Sequence, residues 1–184
     1  EPPALHHRLM LDLEGKLRLA FNDTRKFGRV WLTSDPGAVL GRLGPEPLDP
    51  AFTAGDLYQR LQMRRRQIKP LLLDQSFLAG MGNIYTDEAL NLARLHPLII
   101  ANTLAEEQTE QLWGAIRQVL ADGIRSNGAS IDWVYRGGSY QHYFRVYKRA
   151  GEPCPECGTT VERIVVGQRG THLCPRCQPL PGSD

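Results

Sequence analysis

Four cysteines stand near the end of the 184-residue chain in two pairs, Cys154-Pro-Glu-Cys157 and Cys174-Pro-Arg-Cys177, with sixteen residues between the pairs. Two Cys-x-x-Cys knuckles at that separation present four thiolates to one tetrahedral ion, and zinc suits that donor set. These are the only cysteines in the chain, so two disulfides are the alternative use of them; the spacing favours the metal. Four thiolates leave no open coordination position, which makes such a zinc structural. Elsewhere, Gly80-Met-Gly-Asn83 precedes a helical pattern. Glycines there permit a tight turn, Asn83 is a candidate cap, and the unpaired amides of a helix start attract an anion such as phosphate. A plain capped turn has the same letters, and Asp87 and Glu88, expected in or near the first turn, would satisfy part of the dipole.

Three further groups carry charge or shape that could serve a nucleic acid. Arg25-Lys-Phe-Gly28 combines cations with an apolar wedge, although local sequence alone favours a Phe folded under its hairpin. Arg60, Arg64, Arg65, Arg66 and Lys69 form a run without an acid among them, which reads as a solvated helix face or a phosphate-binding one. Arg169 lies between Gly167 and Gly170, in the expected turn of a hairpin, where it could reach a phosphate or simply face water. His6 precedes the first strand and could donate to a phosphate oxygen.

The elements that must hold these residues are legible as patterns. Leu9, Leu11 and Leu13 alternate, and after Glu14-Gly15 so do Leu17, Leu19 and Phe21, predicting a half-buried hairpin. Arg29-Val-Trp-Leu32 is expected to continue it as a third strand, leaving a meander whose apolar face has no obvious partner later in the chain. A proline-rich connector over 41–50 marks the domain boundary. Beyond it the patterns are helical: one capped by Thr53 and Asp56, a short one with Pro70 first, one over 84–94, and one started by a Thr103–Glu106 capping box. The last carries Leu112, Ile116, Val119, Leu120 and Ile124 on one face and ends at Asn127-Gly128. Residues 161–166 and 171–173 form the small hairpin between the knuckles, too small to hold itself without metal.

Composition is that of an ordinary globular protein, 41% hydrophobic and 23% charged, with a formal net charge of +2. No apolar run approaches membrane-spanning length. Cysteines committed to metal suggest a reducing compartment.

In order, Arg-Lys-Phe-Gly (25–28), Leu-Gly-Pro-Glu-Pro-Leu (43–48), Ile-Lys-Pro-Leu-Leu-Leu-Asp-Gln (68–75), Gly-Met-Gly-Asn-Ile-Tyr-Thr-Asp-Glu-Ala-Leu (80–90) and Gly-Glu-Pro-Cys-Pro-Glu-Cys-Gly (151–158) resemble the formamidopyrimidine-DNA glycosylase family, related to endonuclease VIII. The resemblance runs over nearly the whole chain. It implies an α+β protein: closing strands of an N-terminal β-sandwich over 1–40, a helix-two-turn-helix DNA-binding domain over 51–147 and a zinc-ribbon finger over 148–178. It implies base-excision repair of oxidised purines, with the damaged nucleotide flipped out of the duplex and the strand cut by β,δ-elimination. Double-stranded DNA with an oxidised base or abasic site is the implied partner, for a bacterial, cytoplasmic, nucleoid-associated monomer.

By residue, the resemblance implies that Arg25 fills the vacated stack and Phe27 wedges the step. Asn83, His6, Lys69 and Arg64 would grip the flanking phosphates. Arg169 would contact the lesion phosphate and assist the second elimination, while Cys154, Cys157, Cys174 and Cys177 hold one zinc. The family's nucleophile, an N-terminal proline amine followed by a glutamate, matches nothing here, and Pro2 and Pro3 sit beside His6 rather than at the family's start. The expectation is a truncated chain that binds lesion DNA without Schiff-base chemistry, and an unsupported N-terminal hairpin prone to aggregate. The loop before the ribbon, around Gly137-Gly138, reads as short for a purine-specific member. An endonuclease VIII-like enzyme for oxidised pyrimidines, a non-catalytic zinc-ribbon DNA-binding protein, and a zinc-ribbon protein of transcription or translation are the alternatives.

Overall fold

The structure is a computed structural model that describes residues 3–130 and 137–182. It divides into two compact units, Glu1–Val39 and Leu40–Asp184.

In the first unit, β1 (His7–Asp12) pairs antiparallel with β2 (Arg18–Asn22). Leu9 faces Phe21 and Leu11 faces Leu19 across the ladder, as the alternation predicts. The Asp12–Arg18 ion pair, at 2.5 Å, closes the end beside the turn. The expected third strand does not form: residues 29–32 make no ladder. The cause lies just upstream, where the Asp23 carboxylate takes the N–H groups of Arg25, Lys26 and Gly28 at 3.0, 2.9 and 2.6 Å and bends the chain. The apolar face is open within this unit, with Leu11, Leu17 and Leu19 45–66% exposed. A short helix, α1 (Gly37–Leu40), ends the segment.

The second unit is built on four helices. α2 (Ala54–Gln62) starts at the expected Thr53–Asp56 capping box, in which Thr53 Oγ1 accepts the Asp56 N–H at 3.1 Å and Asp56 Oδ2 accepts the Thr53 N–H at 2.8 Å. Leu57 and Leu61, one turn apart, are fully buried. α3 (Ile68–Leu72) begins two residues before Pro70, which is harmless because a first-turn N–H has no intrahelical acceptor. α4 (Asn83–Leu92) is capped by Gly82, so Asn83 is its first residue and not its cap. α5 (Glu106–Arg125) begins after Ala105, and Gln108 Oε1 accepts the Ala105 N–H at 3.0 Å. Thr103 instead closes a preceding 3₁₀ turn, donating its hydroxyl to Ile100 O, so the expected capping box is displaced.

Leu112, Ile116 and Val119 of α5 pack with α2 and α4 in one core, whereas Ile124 is 68% exposed. The ridge narrows at Gly123, where any side chain would run into the Tyr85 ring. Asn127 and Gly128, both at positive φ, end the helix as predicted.

The ribbon is β3 (Glu162–Val166) paired antiparallel with β4 (Arg169–Leu173). Its two-residue turn is Gly167-Gln168, with φ of 55° and 63° at the two positions. That mirror-image turn matches the natural twist of a hairpin. Arg169 is therefore the first residue of a strand, opposite Val166, and not the tip residue the sequence suggests.

Candidate nucleic-acid interface and metal centre

Val146, Val161, Cys154 and Cys174 make the ribbon's own small core. Around it the four sulfurs converge: Cys157 Sγ is 3.5 Å from those of both Cys174 and Cys177, Cys154 Sγ is 3.9 Å from that of Cys177, and all four lie within 4.8 Å of one another. A regular tetrahedron with Zn–S bonds of about 2.3 Å has edges of about 3.8 Å. All four cysteines are free thiols, which sets aside the disulfide alternative. Burial, with the neighbouring sulfurs, pushes the Cys174 and Cys177 thiols up, whereas Thr159 pulls the Cys157 thiol down to about 6; a bound cation favours the thiolate form of the raised pair. The donor set fits one structural zinc.

A second convergence lies where β4 meets α3 and α4. The Gly170 carbonyl accepts from Asn83 Nδ2 at 3.0 Å and from Lys69 Nζ at 3.3 Å. Lys69 is wholly buried and ion-paired with Asp87. Burial pushes the Lys69 ammonium down, Asp87 opposes that, and the charge of nearby Arg169 adds to it. Arg169 itself is exposed. Thus Lys69 and Asn83 meet at one carbonyl, that of the residue next to Arg169 on β4.

Beside them the α4 N-terminus carries no side-chain cap. Its approach is shaped by Gly80 at φ 85° and by Gln75, which accepts the Gly80 N–H and donates to Met81 O, both at 2.9 Å. Asn83 Oδ1 is buried without a hydrogen-bond partner among the described residues. Uncapped helix amides, with the exposed Arg169 on the adjoining strand and the Asp87-paired Lys69 behind it, make an anion-attracting surface. Arg64 is exposed just beyond α2, its Nη1 3.4 Å from Met63 O, and has no hydrogen bond to this cluster among the described residues.

Asp87 and Glu88 are not dipole partners at the helix start. Both are 1% exposed. Glu88 accepts the N–H groups of Arg145, Val146 and Tyr147 at 2.7, 3.1 and 2.8 Å. Burial raises its pKa while those three donors oppose the rise. Gln178, also buried, accepts from Asn91 Nδ2 and Cys174 N and donates to Leu95 O. Glu88, Asn91 and Gln178, with Asp87 on β4, dock the ribbon on α4. Sequence reasoning missed all of them as docking groups; an Asp-Glu pair on a helix carries no local sign of burial.

In the first unit, Phe27 is 78% exposed rather than folded under the hairpin, and the Arg25 guanidinium carbon lies 5.5 Å from its ring centre. Asp23 organises the loop that presents both, and the Asp23 N–H donates to His6 O at 3.0 Å. His6 is half-buried, its Nδ1 without a partner among the described residues. Asp23 was also missed, although an Asp ahead of a Lys-x-Gly turn is a recognisable signal. Pro3 is exposed; Pro2 and most of the loop before Gly137-Gly138 lie outside the described residues.

The family model "Formamidopyrimidine-DNA glycosylase H2TH domain" matches residues 43–134, and "Zinc finger found in FPG and IleRS" matches 151–180. The chain is 52% identical over 181 residues to a formamidopyrimidine-DNA glycosylase of Chloroflexus aurantiacus, covering 95% of this chain and 65% of the relative. It is 47% identical to that of Herpetosiphon aurantiacus, covering 97% and 67%. Among solved structures, the MutM (Fpg) protein of Thermus thermophilus superposes with a TM-score of 0.88 at 45% identity, covering 96% of this chain and 70% of that one. Lactococcus lactis Fpg in complex with DNA containing an abasic site does so with 0.88 at 35%, covering 98% and 69%. No helix among the described residues is long and apolar enough to cross a membrane. With four thiols at zinc spacing, a helical domain matched by the family's own model over half of the chain, and such identity along nearly its entire length, the chain belongs to the formamidopyrimidine-DNA glycosylase family.

Proposed function

We propose that these residues form the damaged-DNA-binding and zinc-finger portion of a bifunctional base-excision-repair enzyme. That enzyme hydrolyses the N-glycosidic bond of an oxidised purine and then cuts the strand by β,δ-elimination. The observation that carries this reading is the meeting of Lys69 and Asn83 at the Gly170 carbonyl, next to the exposed Arg169 on β4 and beside the uncapped start of α4.

In this reading Asn83 and the α4 amides grip the phosphates flanking the lesion, and Arg169 meets the lesion phosphate and supports the second elimination. Lys69 adds its charge from behind Gly170, while His6 and Arg64 add phosphate contacts. Arg25 and Phe27 occupy the gap left when the damaged nucleotide leaves the stack, and an exposed Phe next to a cation suits that task. The zinc holds the strand that carries Arg169. Solved relatives are described in complex with abasic-site DNA and with carbocyclic 8-oxo-G DNA.

The test is binding of the zinc-loaded chain to a duplex carrying a tetrahydrofuran abasic analogue and to an undamaged duplex at one fixed salt concentration. A preference for the abasic duplex of roughly tenfold or more, abolished by chelator, is expected. Equal, salt-weakened binding to both duplexes would overturn the reading.

A further inference from the structure

Asp87 takes no part in the metal site and does not reach the surface, yet its two carboxylate oxygens are fully used. One holds the Lys69 ammonium. The other accepts the His172 N–H at 2.9 Å and lies 3.3 Å from His172 Nδ1. Gly170 and His172 are two residues apart on β4, so their backbone groups point to the same side of the ribbon. On that side the Gly170 carbonyl is held by Lys69 and Asn83, and the His172 N–H by Asp87. The first residue of the same strand is Arg169.

We infer that Asp87 is a positioning residue for the DNA grip: by holding the outer edge of β4 directly at His172, and through Lys69 at Gly170, it fixes where Arg169 stands relative to Asn83. The inference rests on the reading of Arg169 as a DNA contact. Zinc alone folds the ribbon; it does not orient the ribbon on α4. Without the Asp87 anchor Arg169 remains on a folded ribbon, but the β4 edge beside it keeps only the Asn83 bond at Gly170 and the more distant Glu88 and Gln178 contacts, so its place relative to Asn83 is less closely set. A long flexible cation in no fixed place adds little to affinity, since ordering it on binding opposes the gain.

The experiment is a set of mutant cycles read by affinity for the tetrahydrofuran duplex, with zinc content and thermal unfolding measured for every variant. Arg169→Ala is introduced into the native chain, into Lys69→Met/Asp87→Asn and into Lys69→Met/Asp87→Leu. The two double backgrounds lack the buried ammonium equally; they differ in whether position 87 can accept from the His172 N–H. Arg169→Ala is expected to weaken binding roughly tenfold in the native chain and in the Asn background, and less than about threefold in the Leu background. A full penalty in the Leu background overturns the positioning role, because Arg169 then works without the anchor. Loss of the penalty in both double backgrounds also overturns it, since the His172 acceptor then makes no difference. No penalty in the native chain overturns the reading of Arg169 itself. Should the Leu double variant fail to fold, Lys69→Met/Asp87→Ala carries the same comparison.

Discussion

Asp23 governs the loop whose exposed residues, Arg25 and Phe27, are the ones proposed to enter the DNA stack. The N–H of Gly28, joined by those of Lys26 and Arg25, holds its carboxyl below the ordinary value of 3.8. A depressed carboxyl contributes stability that is present above its unfolded pKa and is lost as pH falls through the folded value. The amides of Arg25, Lys26 and Gly28 are therefore expected to lose exchange protection together in acid, below the ordinary carboxylate range. Asp23→Ala is expected to remove that protection at neutral pH and cut the abasic preference severalfold with zinc content unchanged. Amide exchange of the two proteins checks this, and equal protection in both at neutral pH would count against the loop's dependence on Asp23. Residues of this kind are only partly legible in sequence. The Asp-turn chemistry at 23 is local and could have been read; the exposure of Phe27 could not, because the same letters serve a buried ring equally well.

The elements differ in how they declare themselves. The ribbon and α2 were readable because their determinants are adjacent: a Cys-x-x-Cys knuckle and a Thr-x-x-Asp box each complete their bonds within four residues. The joint between α4 and the ribbon was not, because its partners are 57–101 residues apart and consist of charges that a helical pattern assigns to solvent. The third strand failed for a similar reason, since β-propensity over 29–32 could not overrule the bend set by Asp23.

At the ribbon's base, Gln178→Ala would leave Asn91 Nδ2 and the Cys174 N–H without their buried acceptor. We expect a loss of about 2 kcal/mol in thermal or denaturant unfolding of the zinc-loaded chain. A loss below about 0.5 kcal/mol would mean that those donors find other partners.

The whole molecule is uneven in its stability. The second unit has a continuous core running from Phe52 to Val119 and a metal-held ribbon; the first is a two-stranded hairpin and a loop with Leu11, Leu17, Leu19 and Trp31 exposed. The alternation of leucines made that open face legible in advance, and the family resemblance supplied the order of the parts. Neither could supply the internal wiring, in which one helix carries the anion-attracting end, two buried carboxylates and the seat of the ribbon.

That wiring dictates a sequence of events in folding. Asp87 and His172 are 85 residues apart, and Lys69 and Gly170 are 101 apart, whereas the outermost zinc ligands are only 23 apart. Short loops close before long ones, and a nascent chain presents α4 well before β4 exists. The helices are therefore expected to form with Asp87 and Glu88 still hydrated, zinc to nucleate the ribbon locally, and dehydration of the two carboxylates to be the closing step. When zinc is added to chain refolded without it, most helical ellipticity should already be present. Burial of Tyr147, whose ring stacks edge-on against His172, should come afterwards as a separate zinc-dependent phase. Simultaneous appearance of both signals would contradict that order. The joint that seats Arg169 beside Asn83 is, on this account, the last part of the second unit to come into being.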